Sequence, residues 1–384
     1  MAKGGFSKPN GRTDSVEERW RKCFFKVILP FHHPTTTMNL PGEPGQPAKR
    51  NELGFAAWEQ ALKELLADHR IYAPVSQWGN IDYELLTPDL IPRIVYNTPK
   101  PVSPLKLFLL PVKENVAVEP EPPGPVVVIG APACDLWALD VLDKMYLGSG
   151  YVDPYYRARR DNLIRVGMDC HSSAEHCHCT SYGLNPFPEE NHDLAINLTG
   201  DKILIEVNSQ KGVTFAAKIN SKSALTPLKN GLPESIIRIR EDVRRGLEKR
   251  NRNLPNFQET TALVKTIGEN KWKKHSADCV SCGACATICP TCTCFLLIDR
   301  PGFEKVKQMD ACQYPGFQRV AGGEDPLKKK QMRFCNRYFC KYVWKPEKYD
   351  MLACTGCGRC IETCIARIDK NELFLEVSGS ATSN

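Results

Sequence analysis

The 384-residue sequence has no apolar run near the roughly 18–20 residues that a bilayer-spanning helix requires. Its longest apolar stretches, at 24–31 and 126–133, are strand-sized. A secretory leader is not expected either: the first basic residues precede a polar stretch, and the short run at 23–30 is not followed by a small-residue cleavage site. With 29 Pro and 26 Gly, a long coiled coil is excluded. Nucleotide and hydrolase signatures are equally lacking. No G-x-G-x-x-G follows a strand pattern, because the run at 126–130 continues into Ala131 and Pro132, and there is no P-loop, G-x-S-x-G or H-E-x-x-H. C-x2-C pairs at the two ends of the chain, which a nickel–iron site needs, are missing. His32 and His33 read as structural or surface groups. No flavin or nucleotide motif and no catalytic residue is expected in this chain.

What is present is cysteine. The chain has 18, within a composition of 42% hydrophobic and 25% charged residues that can bury a sizeable core. In a chain of this size without a leader, that number points to a reducing, cytoplasmic location and to metal ligation rather than disulfides. The formal charge of +7 then misleads. Each oxidised [4Fe-4S] core with four thiolates adds about two negative charges, so three such sites bring the total to about +1. Basicity is poor ground for expecting nucleic acid.

Length allows two to three domains. Residues 1–50 are rich in Gly, Pro, Thr and charge and read as an irregular extension, with a possible strand at 24–31. From 51 to 230 helical and strand patterns alternate, predicting a mixed α/β domain. Within it, 55–69 carries a helical stripe of Trp58, Leu62, Leu65 and Leu66. The segments 126–130, 193–197, 203–207 and 213–219 read as strands, with short apolar pieces at 70–75, 94–96 and 106–112. Asp135 is expected to cap a helix carrying Leu136, Leu139, Leu142 and Met145. Residues 231–384 read as a mainly helical two-cluster domain. It opens with a charged helix at 234–252, whose inner face is Ile236, Ile237, Ile239, Val243 and Leu247, and with a second helix at 260–273. The fold class expected is α+β.

Cys279, Cys282, Cys285 and Cys289, followed by Pro290, form C-x2-C-x2-C-x3-C-P. The spacing returns at Cys354, Cys357, Cys360 and Cys364, with Ile365 in place of proline. This is the two-cluster ferredoxin run, in which the fourth cysteine of each motif ligates the other cluster. Three thiolates in a tight loop reach three corners of one cube, and the fourth, a helical turn onward, points to its neighbour. Gly283, Gly356 and Gly358 would let the backbone approach the sulfides. Cluster one is assigned Cys279, Cys282, Cys285 and Cys364; cluster two is assigned Cys354, Cys357, Cys360 and Cys289. Paired zinc sites are the alternative, but zinc generally uses C-x2-C pairs separated by a longer loop.

Cys134, Cys170, Cys177 and Cys179 are the only cysteines between 24 and 278, and four is one cluster's complement. Cys134 ends a predicted strand at a helix N-terminus, where partial positive charge favours thiolate. Spacing alone leaves three readings open: iron–sulfur, zinc with His171, His176 or His178, and inert thiols. The segments at 133–136, 155–160, 177–181, 289–295 and 356–361, taken in order, resemble the iron–sulfur beta subunits of cytosolic sulfhydrogenases and the A subunit of anaerobic sulfite reductase. The resemblance spans roughly 55–370. It implies a ferredoxin-like C-terminal domain and a third [4Fe-4S] cluster on Cys134, Cys170, Cys177 and Cys179. It also implies relay of electrons between a flavin-containing reductase subunit and another redox or catalytic subunit. The chain departs from the pattern in its long N-terminal extension, at His178, where an aromatic is expected, and at Cys335 and Cys340.

Cys23, Cys292, Cys294, Cys312, Cys335 and Cys340 remain. Cys292, Cys294, Cys312 and one of Cys335 or Cys340 could supply extra ligands, although packed thiols are the simpler expectation. Residues 326–348 hold eight Lys or Arg and one acidic residue, interleaved with Phe334, Tyr338, Phe339, Tyr342 and Trp344. Beside net-negative clusters this reads as charge compensation, shielding and partner docking, rather than a nucleic-acid surface. Two other function classes compete with the conduit. One is a reductase of the sulfur, sulfite or disulfide type using an additional cysteine-bound cluster; the other is a zinc-stabilised interaction protein.

Overall fold

The computed structural model describes residues 49–120, 124–148, 150–228 and 231–379; the expected strand at 24–31, Cys23 and the 1–48 extension lie outside them. Strands β1 (Lys49–Gly54), β2 (Arg70–Gln77), β3 (Asn80–Leu85), β4 (Lys113–Asn115), β5 (Val126–Ala131), β6 (Leu163–Met168), β7 (Leu194–Thr199), β8 (Lys202–Val207) and β9 (Thr226–Pro227) come first in the chain. All but β4 form one mixed sheet in the order β3-β2-β5-β6-β7-β8-β1-β9. Its centre is parallel, with Val127 beside both Ile71 and Ile164. That is why β5 reads as an unbroken apolar run: it is covered on both faces. Val127 and Ile129 enter one core, Val128 and Ala131 the other.

Helix α1 (Phe55–Leu65) buries Trp58, Leu62 and Leu65 against the first face. Helix α2 (Ala133–Tyr146) buries Leu136, Leu139 and Leu142 against the second, and α3 (Pro154–Asn162) leads into β6. Residues 213–219 do not form a strand. They lie in α4 (Gln210–Lys222), capped by the Ser209 hydroxyl, which accepts from Gly212 N. Val213, Phe215 and Ile219 also fit a two-residue period, but burial follows a helical stripe of Phe215, Ala216 and Ile219.

Helices α5 (Glu234–Arg250), α6 (Phe257–Thr266) and α7 (Glu269–His275) follow, α6 closed by an Asn256–Glu259 capping box. On α5 only Ile236 and Leu247 of the expected inner face are buried, and Ile237 is exposed. Strands β10 (Phe295–Arg300) and β11 (Glu304–Met309) form a hairpin completed by β4, so a strand from residues 113–115 belongs to the second sheet. Helix α8 (Lys330–Phe339) passes through a π-helical segment, Cys340–Trp344, into Lys345–Tyr349, and α9 (Lys370–Val377) closes the described chain. A third core joins Phe257, Trp272, Tyr338, Tyr342 and Phe374 to Tyr182, which comes from the loop after β6. Among the described residues no helix is long and apolar enough to cross a membrane.

Candidate metal centres

The parallel strands set the position of the N-terminal cysteines. β5 ends at Ala131 and Cys134 follows in the first turn of α2; β6, its neighbour, ends at Met168 and Cys170 follows. Both thiols therefore sit beyond the carboxyl ends of adjacent parallel strands, where open α/β sheets place their ligands. The loop after Cys170 brings Cys177 and Cys179 to the same cavity, which all four cysteines line with Lys100 and, from the far end of the chain, Cys357. Lys100 Nζ donates to Cys177 Sγ at 3.5 Å and to Glu362 Oε1 at 2.8 Å. Burial pushes the Cys134 and Cys170 thiols well up and Cys179 to about 12. Such thiols ionise only with a cation to compensate them, which metal ligation supplies as the proton leaves.

Asp135 does not cap α2, which starts at Pro132 without a side-chain cap. The carboxylate is buried and receives Arg359 Nη1 at 2.6 Å and Nη2 at 3.0 Å, tying the start of α2 to the second cysteine motif. That motif packs directly on the 176–179 loop. His178 N donates to Gly356 O at 2.8 Å. A Cβ on Gly356, at φ +64°, would stand 2.5 Å from His178 O, and one on Gly358, at φ +75°, 2.5 Å from His176 O. Glycine is demanded at both positions by protein backbone pressed against them as well as by left-handed φ. His178 itself is buried, its pKa held well below the usual value by burial and by Lys370, whose Nζ lies 2.8 Å from Nε2.

Cys279, Cys282, Cys285 and Cys364 line a second cavity, shared with Cys360 and roofed by Arg337 and Tyr338. Cys289 is buried elsewhere, in contact with Lys341, whose Nζ donates to its Sγ at 2.9 Å and to Thr291 Oγ1 at 2.8 Å. Electrostatic interaction links Cys289 to Cys357, and Lys341 to both Cys289 and Cys354. A hydrogen bond from Cys292, and Lys341 with it, pulls the Cys289 thiol well down against the effect of burial. Burial raises Cys285 and Cys357 to about 12. Among the described residues no three His, Cys, Asp or Glu side chains are placed to hold a single metal ion. Cys134, Cys170, Cys177 and Cys179 line one cavity and Cys279, Cys282, Cys285 and Cys364 another, whereas Cys357 and Cys360 of the remaining quartet fall in different cavities.

Residues 326–348 form no continuous docking face. Arg333, Arg337, Lys341 and Lys345, four apart on one continuous helix, are all buried, and Phe334, Tyr338 and Tyr342 belong to the third core. Lys328, Lys329 and Lys348 are exposed. The stripe points inward, and Arg337 and Lys341 reach the cysteines. Arg337 Nη2 donates to Cys285 O at 3.3 Å, while its buried Nε has no hydrogen-bond partner among the described residues. Sequence reasoning missed this stripe, although its i, i+4 spacing was readable. Buried cations and inward thiols together fit a thiolate-bound, net-negative cluster.

Residues 278–368 match the 4Fe-4S dicluster domain family. Over 349 residues the chain is 30% identical to the Sulfhydrogenase 2 subunit beta of Pyrococcus furiosus, a match covering 84% of this chain and 96% of that protein. With that identity held over nearly the whole of the relative, the chain belongs to the sulfhydrogenase beta-subunit family, as an iron–sulfur redox subunit.

Proposed function

We propose that the chain is an electron relay carrying three [4Fe-4S] clusters. Cluster one is held by Cys279, Cys282, Cys285 and Cys364, and cluster two by Cys354, Cys357, Cys360 and Cys289. Cluster three is held by Cys134, Cys170, Cys177 and Cys179. The observation that carries this reading is adjacency: Cys357 of the second motif lines the cavity of the N-terminal quartet, and Cys360 lines that of cluster one. The order three–two–one makes a row with two ends, and a row of one-electron centres without a substrate motif suits transfer between partners. One partner is read as a flavin-containing reductase subunit and the other as a further redox or catalytic subunit, from the likeness to a sulfhydrogenase beta subunit. Two domains are read with it, 51–230 around cluster three and 231–384 around the pair.

The test is ligand replacement in the anaerobically purified full chain. Cys134→Ser and Cys177→Ser should each remove about four iron per chain and leave the paired clusters' electron paramagnetic resonance signals in place. Unchanged iron would sink cluster three. Cys364→Ser should disturb the cluster bound by Cys279, Cys282 and Cys285. If it disturbs the cluster of Cys354, Cys357 and Cys360 instead, cross-ligation is wrong. Purification of the native assembly should bring down a flavin-bearing subunit; recovery of the free monomer alone counts against the relay.

A further inference from the structure

Three buried lysines converge on residues 289–294 from different parts of the chain. Lys106 Nζ donates to Cys292 O at 2.9 Å and to Ala286 O at 3.4 Å. Lys341 Nζ reaches Cys289 Sγ, and Lys345 Nζ donates to Thr291 O and, at 3.5 Å, to Thr293 Oγ1. Among the described residues none of the three makes an ion pair with a carboxylate; the opposite charges acting on Lys106 and Lys341 come from cysteines, chiefly Cys289 and Cys292. Cluster two, through Cys289, answers Lys341 and in part Lys106, on which Cys292 acts more strongly. Lys345 faces the next turn of chain without a carboxylate partner among the described residues, and unpaired buried charge is strongly disfavoured.

That turn carries thiols. Cys292 and Cys294 line a cavity beside Lys106, Tyr146 and Lys307. The β10–β11 hairpin, in register from Phe295↔Met309, returns the chain so that Asp310 N donates to Cys294 O at 2.9 Å. Cys312, two residues on, is then within hydrogen-bond reach of the Cys294 thiol. Cys340 opens the π-helical segment and also acts electrostatically on Cys294. Cys335 does not join them: it is 1% exposed in the third core, among Phe334, Tyr338 and Trp272. Extra helical residues of the π type commonly re-aim a side chain at a functional site.

We propose that Cys292, Cys294, Cys312 and Cys340 bind a fourth [4Fe-4S] cluster, whose negative charge compensates Lys106 and Lys345. Ligation replaces the Cys294–Cys312 and Cys289–Cys292 thiol hydrogen bonds by iron–sulfur bonds, releasing the thiol protons. This site adds to the three-cluster relay proposed above and rests on its assignment of Cys289 to cluster two. It stands beside β10, where Phe295, Leu296 and Leu297 are exposed.

Native mass spectrometry and iron analysis of the anaerobically purified wild-type chain should give about 16 iron per chain, against about 12 for the three-cluster relay alone. Cys312→Ser and Cys340→Ser should each lower that by about four, with the signals of the other clusters kept. If one of the two variants fails to fold, the other, read against the wild-type count, decides. About 12 iron in the wild type, with unchanged iron in Cys312→Ser, overturns the fourth site. About 12 iron falling further in Cys312→Ser but unchanged in Cys134→Ser supports this site and overturns cluster three instead.

Discussion

Lys341 is placed to set a redox property of the cluster proposed on Cys289. Its ammonium is fully enclosed and donates to Cys289 Sγ, Thr291 Oγ1 and Ala353 O. Burial alone would lower its pKa, but the sulfurs of Cys289, Cys292 and Cys354 outweigh burial and raise it well above the usual value. A fixed positive charge on a ligand sulfur favours the reduced, more negative cluster, so it raises the reduction potential. Lys341→Met, similar in length and uncharged, should lower the potential of the cluster proposed on Cys289. A lost interaction of about 1.4 kcal/mol corresponds to about 59 mV for one electron. Redox titration followed by electron paramagnetic resonance measures it; an unmoved potential would show that Lys341 only packs. Spacing alone singled out Cys289 and Cys354 beside it. It did not single out Lys341, because a lysine in a basic, aromatic stretch looks the same whether the helix turns that face to water or to a cluster.

At the scale of elements, the joint between α2 and the second cysteine motif rests on one buried ion pair. Asp135 and Arg359 are 224 residues apart and each nearly inaccessible. No local pattern announces such a pair, and Asp135 looked like a helix cap because it stands one turn from a strand end. Removing one partner leaves a buried charge alone, which costs about 3–5 kcal/mol. Asp135→Ala and Arg359→Ala should each lower the thermal midpoint of the holoprotein strongly. The double variant should be less destabilised than the sum of the singles, because neither charge is then left unpaired. Additive losses would mean that the two side chains act separately. Strand and helix types show the same limit. β5 was readable from its unbroken apolar run, whereas α4 was mistaken for a strand because Val213, Phe215 and Ile219 alternate as well as they spiral. Only packing against the sheet distinguishes the two periods.

Over the whole molecule, His69, His171, His178 and His192 are held below the usual histidine pKa, in each case chiefly by burial. In the unfolded chain they bind protons near pH 6.5; folded, they resist protonation until lower pH. The unfolded state therefore binds more protons as pH falls below about 6.5, and stability declines in that direction. Anaerobic thermal unfolding followed by far-ultraviolet circular dichroism should show a lower midpoint at pH 5.5 than at 7.5. An equal or higher midpoint at pH 5.5 would mean that groups raised by burial, such as the Asp140 carboxyl, which bind protons more readily in the folded state, dominate the linkage instead. The α+β class was readable from the change of texture near residue 230. The strand that crosses it, β4, was not, since three residues carry no pattern of their own.

The contact of Gly356 and Gly358 with the 176–179 loop also has a consequence for biogenesis. A ribosome delivers residues 134–179 long before 356–358, at about 5–20 residues per second. Yet part of the wall around the N-terminal thiols is made by Gly356 and Cys357. A cysteine quartet that is complete in sequence halfway through synthesis becomes an enclosed site only when the last quarter of the chain has arrived and docked. On the three-cluster reading, iron reaches these early cysteines late, after synthesis, and truncation near the C-terminus should cost the proposed centre that lies nearest the N-terminus.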